Sequence, residues 1–180
     1  VSEDVLALLE DDPAEAGPLD HVTLASLFAQ GIDAPAIATP WCVSRAHVCF
    51  LPWANRYVPM CTGEPALIFG ILDDGLIDLA AWWPAGGKIG TRLGIGACLG
   101  QGQIGRDGLG MADRPIPVFR NPLTWLRQNR RGLVVADWDA AAHLLSDVAL
   151  RPEDERHGIE LSRRLRVRPP IIVSRVRLAA

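Results

Sequence analysis

The sequence predicts an α/β domain with a mixed sheet. An antiparallel, hairpin-containing N-terminal half is joined to a β-α-β-α-α-β C-terminal half, with a helical N-terminal arm. Three observations predict it. Two apolar β-type runs, 67–72 and 76–82, meet at Asp73-Asp74-Gly75, a hairpin signal. From residue 115 onward, short apolar runs alternate with capped helical segments, as in parallel strands joined by crossovers. Hydrophobic residues make up 49% and charged residues 22% of 180 residues, enough for one packed core and too apolar for disorder. We read one domain over 1–180: a helical arm and linker (1–40), a β-rich, Gly-rich part (41–110) and an alternating β/α part (111–180).

The elements follow in order. Asp4 to Glu10 carries four apolar residues and predicts a short helix, ended by Asp11-Asp12-Pro13. Residues 20–30 predict a second helix, capped by Asp20 or Thr23 and stopped by Gly31. Pro35 and Pro40 mark 33–40 as a linker. Trp41 to Leu51 reads as a strand that Pro52 ends. In the hairpin, Gly75 is expected to supply a positive φ. Residues 86–110 hold ten Gly interleaved with apolar side chains, which predicts close-packed turns and one short helix near 91–99. Beyond them Ile116 to Phe119 is a strand, Asn121-Pro122 starts a helix, and Leu133 to Asp137 is a buried strand. Asp139 is read as the cap of a helix over 140–145. Pro152 to Glu155 opens a further helix with Arg163, Arg164 and Arg166 in its last turn. Ile171 to Val176 is the final strand.

Composition narrows the function classes. No run approaches the ~20 apolar residues that span a bilayer, and the start lacks a basic and apolar leader, so a cytoplasmic location is expected. A first Val reflects either processing or a GTG start codon translated literally; the second, with 17 Arg against a single Lys, points to a GC-rich bacterial or phage gene. The net charge of −3 excludes a general attraction to nucleic acid. The charge is uneven, however: the first 44 residues hold eight acids and no Lys or Arg, whereas 151–180 hold eight Arg against four acids.

Four constellations carry candidate chemistry. Cys42, His47, Cys49 and Cys61 are the soft donors that zinc prefers, but their C-x4-H-x-C-x11-C spacing fits no standard finger, and reduced buried thiols explain them as well. Gly100 to Gly105 fits G-x-G-x-x-G, yet Arg106-Asp107-Gly108 is a poor helix start where a pyrophosphate site needs a good one. Asp137 and Asp139, at the end of an apolar run, can share a Mg²⁺, or end a strand and cap a helix. The segment 116–176 around them resembles the Toprim domain of primases and topoisomerases. That resemblance implies Mg²⁺-dependent phosphoryl transfer using Asp137 and Asp139. It also requires a Glu after the first strand, where this chain has Arg120-Asn121. The fourth constellation is the arginine group Arg163, Arg164, Arg166, Arg168, Arg175 and Arg177, which can take up phosphates or simply complement a helix end. His21, His143 and His157 are expected at helix surfaces or boundaries.

The preferred reading is a non-enzymatic binding or accessory protein that contacts nucleic acid or a protein partner through Arg163, Arg164, Arg166 and Arg168, without a cofactor. The alternatives are a degenerate Toprim-like Mg²⁺ enzyme and a small zinc-stabilised module.

Overall fold

The computed structural model describes residues 16–165 and the backbone of 171–172. The predicted helix over Asp4 to Glu10 and Arg166, Arg168, Arg175 and Arg177 lie outside the described residues. The strands are β1 (Gly17–Pro18), β2 (Ser44–Leu51), β3 (Arg56–Pro59), β4 (Glu64–Leu72), β5 (Leu76–Trp83), β6 (Lys88–Thr91), β7 (Cys98–Leu99), β8 (Ile116–Phe119), β9 (Leu133–Val135), β10 (Ala149–Pro152) and β11 (Ile171–Ile172). The helices are α1 (His21–Ala29), α2 (Ala34–Ala38), α3 (Pro122–Arg127), α4 (Trp138–Leu144) and α5 (Glu155–Arg164).

The fold is mixed α/β with two mixed sheets. The first closes on itself: β2, β3, β6, β5 and β4 form a ring that the β2–β4 pairing completes, and β1 adds to the start of β2. All pairings in the ring are antiparallel except β3–β6. Closure removes the free edges that an open sheet would expose. Ala46, Val48, Tyr57, Ala66, Ile68, Leu79 and Ala81 pack together as its interior.

The second sheet runs β11-β10-β8-β9-β7. Its first four strands are parallel and β7 is antiparallel. One face, carrying Ile116, Val118, Leu133, Val135 and Leu150, packs under α4 and α5 through Ala141, Ala142, Leu145 and Leu161. The other face turns Leu99, Val134 and Ala136 toward the barrel, where they share a core with Leu67, Phe69, Ile71 and Trp82. Strand β4 is thus buried on both sides, which explains its unbroken apolar run in place of the alternation of a half-exposed strand. Trp125 and Leu126 of α3 join this core, Trp125 meeting Phe69 edge to face with ring centroids 6.2 Å apart.

Several expectations are corrected. Residues 33–40 are no plain linker: Pro35 sits in the first turn of α2, where its missing N–H has no cost, and a cis Thr39-Pro40 bond follows. Residues 91–99 are not helical. The carboxylate of Asp78, 0% exposed on β5, accepts backbone N–H bonds from Leu93, Ile95 and Gly96 at 2.9–3.0 Å and so holds this bent loop against the barrel. Gly75 is not in the left-handed region; the turn closes through Asp73 N–H to the Gly75 carbonyl at 2.9 Å, beside a β-bulge at Ile71 and Leu72. The C-terminal half is β-α-β-α-β-α-β, because Ala149–Pro152 forms a strand between α4 and α5 and pairs with β8 in parallel. Asp137, not Asp139, caps α4, its Oδ1 accepting from Asp139 N–H at 2.9 Å and Ala140 N–H at 3.0 Å. His157 is buried, at 3% exposure, whereas His21 and His143 are exposed.

Candidate functional site

Between the barrel and the second sheet lies a cleft of about 370 Å³. Its barrel wall is the end of β2, the turn 52–55, Arg56 at the start of β3, and Lys88 at the start of β6. Its other wall is Trp138, at the start of α4, and Arg164, at the end of α5. The wall is assembled by local rules. The Asp137 cap fixes where α4 begins and so where Trp138 stands. The last turn of α5 favours cations, which brings Arg164 over the Trp138 ring, its guanidinium carbon 4.7 Å from the ring centroid. Glu160, one turn earlier, steadies that arginine at 3.4 Å.

The chemistry of the cleft is one-sided. Among the described residues it presents three cations, Arg56, Lys88 and Arg164, and no acid. Among the described residues the Arg56 guanidinium has no hydrogen bond or ion pair, and Lys88 has only the Trp83 ring, 5.7 Å from its Nζ. Trp138 and Phe50 supply flat apolar surface. Trp53, between the lining residues Pro52 and Asn55, is 82% exposed, although burying an indole is normally favourable. Cations beside aromatic faces are the two elements that bind a single nucleic-acid strand, one for phosphates and one for bases.

The sequence-derived candidates separate on this frame. Arg163 and Arg164 stand in the last turn of α5 as expected, Arg163 exposed and Arg164 in the cleft wall. Asp137 follows β9 and Asp139 is exposed on α4. The carboxylate of Asp137 is spent on the cap; burial, and after it the Asp137 charge, pushes the thiol of neighbouring Cys98 up. Glu160 pairs with Arg164, and Arg120, at the place of the Toprim Glu, binds both oxygens of Asp154 at 2.7 Å.

Cys42 is exposed before β2, with its thiol donating to the Ala38 carbonyl. His47 and Cys49 face outward along β2, and Cys61 is exposed in the turn before β4. No group of three or more His, Cys, Asp or Glu side chains arranged to hold a metal ion occurs among the described residues. The glycines of Gly100 to Gly105 build two short 3-10 turns, with Gln101 accepting the Ala97 and Cys98 N–H groups and Gln103 bonded to Arg130 and Gly132 backbone. No helix among the described residues is long and apolar enough to cross a membrane.

Sequence reasoning missed Arg56, Lys88, Trp53 and Trp138 because the cleft gathers them from three separate segments. The one available signal was a lone lysine between glycines and a tryptophan directly after a strand-ending proline. No family model matches the chain, and neither a curated protein nor a solved structure matches it.

Proposed function

We propose that this chain is a non-enzymatic nucleic-acid-binding module that takes a short single-stranded segment in the cleft between barrel and second sheet. The observation that carries the reading is the coincidence of Arg56, Lys88 and Arg164 with Trp138 and the exposed Trp53, with no acid among the described residues that line the cleft. With a net charge of −3 no overall basic field draws nucleic acid, so attraction rests on local groups of cations such as this cleft. Aromatic faces favour unpaired bases, since a duplex keeps its bases stacked on each other.

Fluorescence anisotropy with a labelled oligothymidylate at low salt tests it. Binding is expected to be tighter for the single strand than for a duplex of equal length. Three phosphate contacts give a slope of log K against log salt of about −2. The double substitution Lys88→Glu with Arg164→Glu is expected to abolish binding. Equal binding of the double variant, or no binding at low salt, removes the proposal.

A further inference from the structure

A second recess lies away from the cleft, on the barrel-facing side of the second sheet. It measures about 920 Å³, within the size range of small-molecule pockets. Its floor is set by strand alternation. Ile116 and Val118 of β8 point to the side covered by α4 and α5, so Pro117 and Phe119 point the other way. Arg151 of β10 is paired in parallel register with Pro117 and therefore stands on the same face. Across β8, Gly132 packs so tightly on Pro117 and Phe119 that a Cβ there would lie 2.5 Å from the Pro117 carbonyl oxygen, which brings the preceding Arg131 to the rim.

The recess follows β8, the strand at which the connections of the sheet reverse direction. Strand β8 leads through α3 to β9 on one side, and β10 leads through α5 to β11 on the other. The recess runs the length of β8, from Arg131, Asp113 and Arg114 at the amino ends of the strands to Phe119, Pro152 and Glu153 at the carboxyl ends. Arg120 with Glu153 and Asp154 stands at that end and is already paired. Arg131 and Arg151 are not: among the described residues neither guanidinium has a hydrogen bond or ion pair. Arg151 is half-buried as well. A half-buried cation beside an apolar floor is costly to leave without an anion. Asp107 and Asp113 on the far loop add acceptors without an ion pair to either arginine, Arg114 beside them donates to the Asp107 carbonyl, and Glu153 lines the recess at the end of β10.

We propose that this recess binds a nucleoside monophosphate. Two guanidiniums match one dianionic phosphate, and the acids on the far loop disfavour the further charge of a di- or triphosphate while offering acceptors to sugar hydroxyls. Pro117 and Phe119 give the base a flat apolar floor.

Calorimetric titration of the full chain with AMP, GMP, CMP, UMP and inorganic phosphate tests the assignment. At least one monophosphate is expected to bind, about tenfold or more tighter than phosphate alone, and Arg131→Ala and Arg151→Ala are each expected to weaken it about tenfold or more. The cleft variant Lys88→Glu with Arg164→Glu is expected to bind the monophosphate unchanged, which separates this site from the one for single strands. The proposal is overturned if no monophosphate binds at millimolar concentration, if phosphate alone binds as tightly, if the arginine variants bind like the parent, or if the cleft variant loses the ligand. Arg131 is exposed, so its variant decides the matter even where Arg151→Ala fails to fold.

Discussion

Arg130 stands in the left-handed region, at φ 59°, and is buried. It donates from Nε to the Ala36 carbonyl at 2.6 Å and from Nη2 to those of Ile37 and Trp41 at 3.1 and 2.8 Å, with the Trp125 ring beneath it. These carbonyls end α2 and lead into β2, so one side chain ties the start of the barrel to α3. Burial pulls its guanidinium down to about 10, still far above neutrality, and the cation persists there. His157 is the other buried base, and it is neutral: its Nδ1 accepts from Glu153 N–H at 3.4 Å. Burial, and after it the Arg120 charge, holds its pKa below the ordinary imidazole value, against Glu153, Glu160 and Asp154, which pull it up. The folded chain therefore binds fewer protons than the unfolded chain once pH falls below about 6.5, and stability drops with acidification through that window. Asp154 does not blur this, because Arg120 and the His157 N–H hold its carboxyl below the usual range, so its contribution is lost only in stronger acid. Melting temperatures between about pH 7 and pH 5 are expected to fall for the parent and to flatten for His157→Gln, with a parallel decline in both ruling out His157 as the cause. Neither role was legible in the sequence, since nothing local distinguishes a buried Arg or His from a surface one.

At the scale of elements, legibility tracked local physics. Two helix starts were readable from the side chains that cap them, Asp20 accepting from Thr23 N–H at 2.8 Å and Asn121 from Thr124 N–H at 3.0 Å, whereas at α4 the cap was placed two residues late, on Asp139 instead of Asp137. The hairpin was readable because both strands are long. Among the short strands β8 and β9 were found and β3 was not, and β10 and β7 were missed because they are defined by partners distant in sequence. The cleft failed for the same reason, whereas Arg164, lying in a helix end that its charge favours, was found. Two glycines separate backbone strain from close approach. Gly31 has φ 76° with open space around it, so Gly31→Ala is expected to cost about 1 kcal/mol, the left-handed term alone. Gly132 has φ 108° and the Pro117 carbonyl where a Cβ would go. Gly132→Ala must also part β8 from β9, and about 3 kcal/mol or more is expected. Urea unfolding of the two variants checks this, and equal losses would show that the sheet yields at Pro117.

At the scale of the whole molecule, the question is whether barrel and second sheet are separable. Each has its own apolar cluster, the barrel interior and the face beneath α4 and α5. A third cluster belongs to neither alone, because it takes Leu67, Phe69, Ile71 and Trp82 from the barrel and Leu99, Val134, Trp125 and Leu126 from the other half. Separation would expose these side chains, each worth about 1.5–3 kcal/mol of burial, and would also release the three Arg130 bonds. A chain of this size has a total stability of only about 5–15 kcal/mol, so the shared cluster is comparable to the whole and neither half is left with a reserve. The two halves are expected to unfold together. Far-UV circular dichroism, Trp fluorescence and calorimetry should trace one transition, with calorimetric and van't Hoff enthalpies equal. Trp125→Ala, which thins the shared cluster alone, should lower that single midpoint without splitting it. Two resolved transitions in the parent would mean that the shared cluster is too weak to couple the halves.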